Sequence, residues 1–271
     1  MKNYWFFLFL SGMLFATGCK PSGQGAGVQS KTPGPADAAL TFEQREFNRQ
    51  SPGCEQDSNQ CARVSAVYPL AVAGPEEAAR RINDTIGMYL RISLAVFAPA
   101  PEDIPESLDS IADNFLKEYE TVMAEEDGLG QAWSVELDGQ VLYQSENLVS
   151  VELNTYSYAG GAHPNSFVYL INFDAVTGKA LHLNDIVRDT ARLRELAEVH
   201  FREARELGVD ESLSDAGFFW GESFALPENY ALTEEGLYFY YNPYEIAAYV
   251  VGPTSFTISR EQMAGLLAEG Y

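Results

Sequence analysis

The chain has 271 residues with 39 acidic against 17 basic side chains, and its net charge of −22 at neutral pH excludes the usual electrostatic attraction to nucleic acid or anionic lipid. Such a surface attracts cations, basic proteins among them, and also keeps a chain soluble with no specific partner at all. No P-loop, G-x-G-x-x-G, G-x-S-x-G or H-E-x-x-H pattern occurs, so neither a cofactor nor a reaction class is implied.

Residues 1–18 carry Lys2, an apolar run from Trp5 to Leu10 that continues through Met13, Leu14 and Phe15, and the small residues Ala16-Thr17-Gly18 ahead of Cys19. The apolar core is too short to cross ~30 Å of hydrocarbon, so the segment reads as a secretory signal and not as a membrane span. Small residues before a cysteine resemble the bacterial lipobox, which implies that Cys19 becomes the lipidated first residue of the mature chain, held at a membrane surface. Ordinary signal cleavage beside an incidental cysteine is the alternative. By the same resemblance, Lys20 in place of an aspartate implies the outer membrane of the cell envelope, facing the periplasm.

Residues 20–40 are rich in Gly, Pro, Ser and Ala and nearly devoid of large apolar side chains, so 19–62 is expected as a flexible tether. Within it, Cys54 and Cys61 are the two cysteines left once Cys19 is lipidated, and an oxidising compartment makes a disulfide their default. Closing so short a loop stabilises by ~2.5 kcal/mol in the chain-entropy model, and a position upstream of the first helix implies that the core folds without it. A metal site fits poorly, because no histidine is near and two thiolates do not complete a tetrahedral zinc shell.

Beyond the tether, helical spacing of Ala79, Ile82, Ile86, Tyr89 and Leu90 predicts a first helix after Pro75, and Leu108, Ile111, Phe115, Tyr119 and Val122 predict a second over about 105–125. Strands follow. Trp133, Val135 and Leu137 alternate up to Asp138-Gly139, a hairpin signal, after which Val141 and Tyr143 return. Residues 148–158 and 167–174 complete a meander of three or four antiparallel strands, closed by a turn at Thr177-Gly178. A third helix over about 189–207 should stop at Gly208, with His200 packed on its apolar side. Strands at 224–226, 230–233, 237–241, 246–251 and 256–258 then precede a short final helix, for which Ser259 and Gln262 have capping-box spacing. Helices flanking antiparallel sheets define an α+β class, expected here as two intimately packed subdomains, 63–165 and 166–271.

Two stretches are candidates for binding. In the first, Tyr156, Tyr158, Gly160, Gly161, His163 and Asn165 surround a break in the strand pattern, where adjacent glycines permit positive φ and Pro164 keeps His163 out of a helix. His163 is either a ligand-contacting or acid/base group there, or a structural residue bonded to a neighbouring carbonyl. The second stretch, 238–249, is tyrosine-rich and includes Tyr244 and Glu245; it is either a wet binding surface or the half-buried face of a sheet, in which case Glu245 needs a partner.

The pieces Tyr68-Pro69 with Ile82-Asn83, Tyr158 to Pro164, Asn172-Phe173-Asp174 with Thr177-Gly178-Lys179, Leu183 to Ile186, Phe224-Ala225-Leu226 and Asn242 to Tyr249 occur in one order over about 62–268. In that arrangement the chain resembles the extracytoplasmic domain of lysozyme-sensing anti-sigma factors of the RsiV type and of PdaC-type peptidoglycan deacetylases. It departs from the pattern at Ala248, where those relatives commonly carry proline. The resemblance implies a PdaC-like first half, an RsiV-like second half and an envelope recognition fold without a reaction of its own, binding a basic protein such as lysozyme. The competing reading is an enzyme or binding protein acting on peptidoglycan or its fragments.

Overall fold

The computed structural model describes residues 39–125 and 131–271. The expected signal peptide, the expected lipidation site Cys19 and the tether up to residue 38 lie outside the described residues. No helix among the described residues is long and apolar enough to cross a membrane.

Five strands, β1 (Thr41–Gln50), β2 (Ala62–Ala73), β3 (Trp133–Gln144), β4 (Leu148–Tyr158) and β5 (Asn165–Asp174), lie side by side in that order, while β6 (Tyr230–Leu232), β7 (Gly236–Tyr241) and β8 (Thr254–Ser259) form a second sheet. They are flanked by α1 (Glu76–Leu94), α2 (Leu108–Glu125), α3 (Leu183–Ile186) and α4 (Thr190–Ala204), so the α+β class holds. The first sheet is not purely antiparallel. β2 and β3 pair in parallel from Ala62 opposite Trp133 to Val67 opposite Asp138, because α1 and α2 intervene and carry the chain back before β3 begins.

Helical spacing explains how α1 and α2 cover that sheet. Ile82, Ile86, Leu90 and Leu94 of α1 and Ile111, Phe115 and Tyr119 of α2 are buried against Val64, Val135, Leu137, Val151 and Leu153, the inward-facing alternate residues of the strands. Each such aliphatic or Phe side chain stabilises by ~1.5–3 kcal/mol when removed from water. A second core gathers Phe201 and Leu193 from α4 with Phe224, Leu237, Phe239, Tyr241 and Ile258 around β6–β8.

The joint between the halves combines a small buried apolar cluster, Val168 and Leu170 of β5 with Ala231 of β6, with a set of side-chain amide bonds. β5 is the last strand of its sheet; two asparagine amides, Asn242 and Asn229, satisfy its free edge as a strand would, and a third, Asn172 of β5 itself, reaches β6. Asn242 Oδ1 accepts from Val168 N at 2.7 Å and its Nδ2 donates to Val168 O at 3.1 Å. Asn229 Oδ1 accepts from Leu170 N at 2.6 Å, and its Nδ2 donates to the same Val168 carbonyl at 2.9 Å. Asn172, buried, accepts from Ser150 Oγ and Leu232 N and donates to Tyr230 O.

Several expectations are corrected. Residues 41–62 are not tether: β1 pairs with β2 along its whole length, and the loop between them is closed by bonded Cys54 and Cys61, Cα atoms 4.9 Å apart. Asp138-Gly139 is no hairpin turn, since β3 runs straight through it. Gly139 serves close packing: a Cβ there would lie 2.7 Å from Leu153 Cδ2 and 3.2 Å from Pro69 Cδ. The true turn to β4 is at 145–147, where Ser145 Oγ accepts from Asn147 N and Leu148 N. A subdomain boundary at 165/166 would cut β5 from the sheet it completes, as Ser157 pairs with Asn165 and Leu148 with Asp174. The helix expected over about 189–207 is α4, and it ends at Ala204, not at Gly208, because Glu206 takes the left-handed position (φ 55°) and Leu207 N and Glu206 N donate back to Arg202 O and Glu203 O. Residues 224–226 and 246–251 are irregular, with a single 3₁₀ turn over Tyr249–Val251. Ser259 and Gln262 do form reciprocal capping bonds, but only turns follow, with Gly265 at φ 81°.

Candidate functional site: an aromatic groove beside the glycine loop

After β4, Gly160 and Gly161 take φ of 80° and 96°, and the loop folds over Trp133, whose indole nitrogen would lie 3.3 Å from a Cβ at Gly160. His163 then turns back onto the second half. Its ring stacks on Tyr249 with centroids 3.8 Å apart and planes 17° from parallel. Nδ1 sits 2.9 Å from Pro164 O. A carbonyl only accepts, so Nδ1 carries the proton and Nε2 is left as the acceptor facing the Tyr244 hydroxyl at 3.4 Å. Tyr249 OH donates to the same Pro164 carbonyl at 2.7 Å. His163 therefore holds a neighbouring carbonyl and supports two tyrosines.

Of these tyrosines, Tyr244 belongs to one wall of a groove of about 790 Å³ between the halves, bounded by Tyr89 of α1, Phe167 and Tyr169 of β5, and the loops 219–229 and 241–246, while Tyr249 stands behind it. The wall is unusual in its backbone. Phe219, Trp220 and Tyr244 are aromatic, not glycine, yet have φ of 57°, 52° and 69°. Each such conformation costs ~1–3 kcal/mol and persists only where the surroundings enforce it. The enforcement is visible: Phe219 N donates to Ile246 O at 2.7 Å, Trp220 Nε1 donates to Glu245 O at 3.2 Å, and the Phe219 ring is buried against Phe201, Phe224 and Tyr241. With Phe219 anchored inward, Trp220 is left 63% exposed, beside Tyr244 at 54% and Phe167 at 43%.

The charges on the wall are Glu222, Glu228 and Glu245, with no lysine or arginine. Glu245 Oε2 accepts from Asn242 N at 2.8 Å, which closes the turn carrying Tyr244. Protein packed around the carboxyl pushes its pKa up, with a smaller push from Glu228, against the lowering effect of the Asn242 bond. Burial likewise raises the Tyr241 phenol, which donates to Ala225 O.

Of the residues singled out in the sequence, His163, Tyr244 and Glu245 thus come together. Tyr158 OH lies 2.5 Å from Gln131 Oε1 and 3.2 Å from Gly161 O, fixing the loop, and is outside the groove. Tyr156 is exposed on β4 opposite Glu136, and Asn165 starts β5 beside Ser93 and Thr155; neither lines the groove. Trp220 and Phe219 were not singled out, and Tyr89 was read only as part of the apolar face of the first helix. The one available signal was the run Phe218-Phe219-Trp220-Gly221, three aromatics ahead of a glycine, which is indistinguishable in sequence from core.

Fold and site define an α+β protein that holds exposed aromatics around an acidic groove between two sheets. Residues 55–166 match the family model described as Deacetylase PdaC, and residues 184–261 match that of a Protein of unknown function (DUF3298). The chain thus carries a PdaC-like match followed by a DUF3298 match, and the two include the Tyr158 to Pro164 and Asn242 to Tyr249 pieces on which the resemblance rested. Both leave out β1 and most of β5. Among curated proteins it is similar to the peptidoglycan-N-acetylmuramic acid deacetylase PdaC of Bacillus subtilis (strain 168), 22% identical over 205 residues, which are 73% of this chain and 43% of the relative. The chain thus spans less than half the length of that relative. Among solved structures, a DUF3298 family member from Bacteroides fragilis NCTC 9343 superposes with a TM-score of 0.65 at 21% identity, covering 85% of this chain and 94% of that one. A DUF3298 family protein from Pseudomonas aeruginosa PAO1 gives 0.61 at 24%, covering 87% and 97%.

Proposed function

We propose that this chain is a lipid-anchored recognition protein of the bacterial cell envelope, without a reaction of its own, and that its groove receives a basic protein, with lysozyme the leading candidate. The observation that carries this is the groove itself: Trp220, Tyr244 and Phe167 are held exposed around walls whose charges are all carboxylates. Exposed aromatics supply contact area at low entropic cost, and the net charge of −22 raises the rate of encounter with a cation. Charge alone gives loose attraction, so the reading requires saturable binding at ~0.15 M salt, where the Debye length is ~8 Å and long-range attraction is largely screened. Calorimetric titration with lysozyme at ~0.05 and ~0.15 M salt tests it. Binding should weaken with salt but survive, and its disappearance at the higher salt would remove lysozyme as the partner.

A second reading is favoured by the name of the Bacillus subtilis relative, a peptidoglycan deacetylase: the groove would then receive peptidoglycan or its fragments, bound or turned over. Among the described residues, no three His, Cys, Asp or Glu side chains are grouped to share a metal ion. Incubation of the purified chain with peptidoglycan, followed by mass analysis of released fragments and of new free amines, separates the two. Product formation abolished by Glu245→Gln would establish the second.

A further inference from the structure

We infer that the groove is built for a guanidinium group, so that an arginine side chain of the partner, in preference to a lysine or a sugar, seats between Trp220 and Tyr244. The inference rests on the proposed recognition of a basic protein and names the chemistry by which the groove would do it. Its basis is the all-carboxylate charge of the wall and the exposed rings of Trp220 and Tyr244, read together with the hydrogen-bonding groups around them. The amide and indole donors on the wall are engaged, and so are two phenols: Asn229 and Asn242 Nδ2 both donate to Val168 O, Trp220 Nε1 to Glu245 O, Tyr241 OH to Ala225 O, and Tyr244 OH faces His163 Nε2, which leaves the hydroxyls of Tyr89, Tyr169 and Ser223 as the side-chain donors still open. The acceptors are open. Glu222 and Glu228 form no ion pair among the described residues, and Glu245 has only Oε2 occupied, by Asn242 N.

A wall whose charges are all carboxylates, with three neutral hydroxyls as its open side-chain donors, suits best a cationic ligand that only donates. A glycan presents acetamide carbonyls and ring and hydroxyl oxygens, each of which needs a donor when taken out of water, and a buried polar group left unpaired is costly. Guanidinium and ammonium groups have donors alone. Between these two the aromatics decide. The exposed faces of Trp220 and Tyr244 offer a planar cation a surface to stack on, while its edge N–H groups point outward to carboxylates in a fixed fork; an ammonium is a strongly hydrated point charge without either property. The strained backbone at both residues is consistent with rings fixed in place before the ligand arrives.

The test uses the full chain at ~0.15 M salt with three probes, tetra-arginine amide, tetra-lysine amide of equal charge, and the neutral tetramer of N-acetylglucosamine. Binding is followed by calorimetry and by the NMR signal of the Trp220 indole N–H, assigned with Trp220→Phe. Tetra-arginine should bind saturably, shift that signal and exceed tetra-lysine at least about 5-fold, with the sugar tetramer leaving Trp220 unmoved. Trp220→Ala should weaken the arginine peptide about 10-fold while circular dichroism is unchanged, and Glu228→Gln, an exposed change that leaves the fold alone, should weaken it by a smaller factor. Equal binding of the two peptides, or a shift of Trp220 by the sugar in their place, overturns the inference. Lysozyme bound in a form that tetra-arginine does not displace overturns it too while leaving the recognition reading standing. Tetra-arginine bound at Trp220 without any binding of lysozyme does the reverse.

Discussion

The half of the molecule backed by α1 and α2 turns most of its large aromatics inward, Phe115, Tyr119 and Trp133 onto the sheet, whereas the half built on β6–β8 buries Phe201, Phe219 and Phe224 and presents Trp220 and Tyr244 to solvent. In the first half, burial follows from regular helices and strands and needs no unusual backbone. In the second, the exposed rings sit on irregular segments, 219–221 and 242–251, with left-handed residues braced by the core beneath them. The difference teaches where function sits: regular elements make a platform, and the strained loops that the platform supports carry the groove.

Removing a core ring from each half separates the roles. Phe115→Ala and Phe201→Ala should each destabilise by ~3–5 kcal/mol, ~6–20 °C in melting temperature. Only Phe201→Ala, which removes the ring packed on Phe219, should also weaken lysozyme binding at a temperature where both variants remain folded. Equal loss of binding in both would mean that the halves are not distinct in function.

The disulfide belongs to the platform. Replacing Cys54 and Cys61 together by serine should lower the melting temperature by ~5–10 °C, the equivalent of ~2.5 kcal/mol, and leave binding intact. Failure of the double variant to fold would show that the β1–β2 connection is essential to the first sheet.

Asn172→Ala tests the joint. It strips the side-chain partner from Leu232 N and Tyr230 O in a buried setting, while Ser150 Oγ keeps its bond to Leu232 O, and an unsatisfied buried group costs ~1–3 kcal/mol. Denaturant unfolding should remain a single transition, displaced by that amount. Two separated transitions would show that the halves unfold independently.

The smallest effect is at Glu245. Its folded-state pKa is raised, so its charged form is disfavoured by folding. Its favourable contribution is present at pH values below the unfolded-state pKa of ~4.3 and is lost as pH rises through the folded value. Glu245→Gln should therefore match the parent near pH 4 and be the more stable of the two at pH 7, while binding the basic partner less tightly. A variant that is less stable at pH 7 would mean that the Asn242 bond to the carboxylate outweighs the effect of burial.

Much of this was legible in the sequence where periodicity is strong. Ile82, Ile86 and Leu90 marked α1, Ile111, Phe115 and Tyr119 marked α2, and the meander of β3, β4 and β5 followed from alternation. β1 was not legible, because its sequence Thr41 to Gln50 is an edge strand with only Phe42 and Phe47 turned toward the core. Asp138-Gly139 misled because a turn signal is local, while the contact of Gly139 with Leu153 and Pro69 comes from neighbouring strands. At the site, the tyrosine-rich stretch pointed to Tyr244 and Glu245, and the glycine loop pointed to His163, which stands beside Tyr244 and outside the groove lining. Trp220 escaped because its exposure depends on Phe219 being anchored in a core made by residues from α4 and β7, which no local pattern reports.

Hydrogen–deuterium exchange of the chain with and without lysozyme tests the central claim most directly, since it reports where a partner sits. The account predicts added protection in 219–228 and 241–249, with β1 and the outer residues of β3 unchanged. Protection confined to β1 and β3, or none at all under conditions where lysozyme is bound, would contradict it.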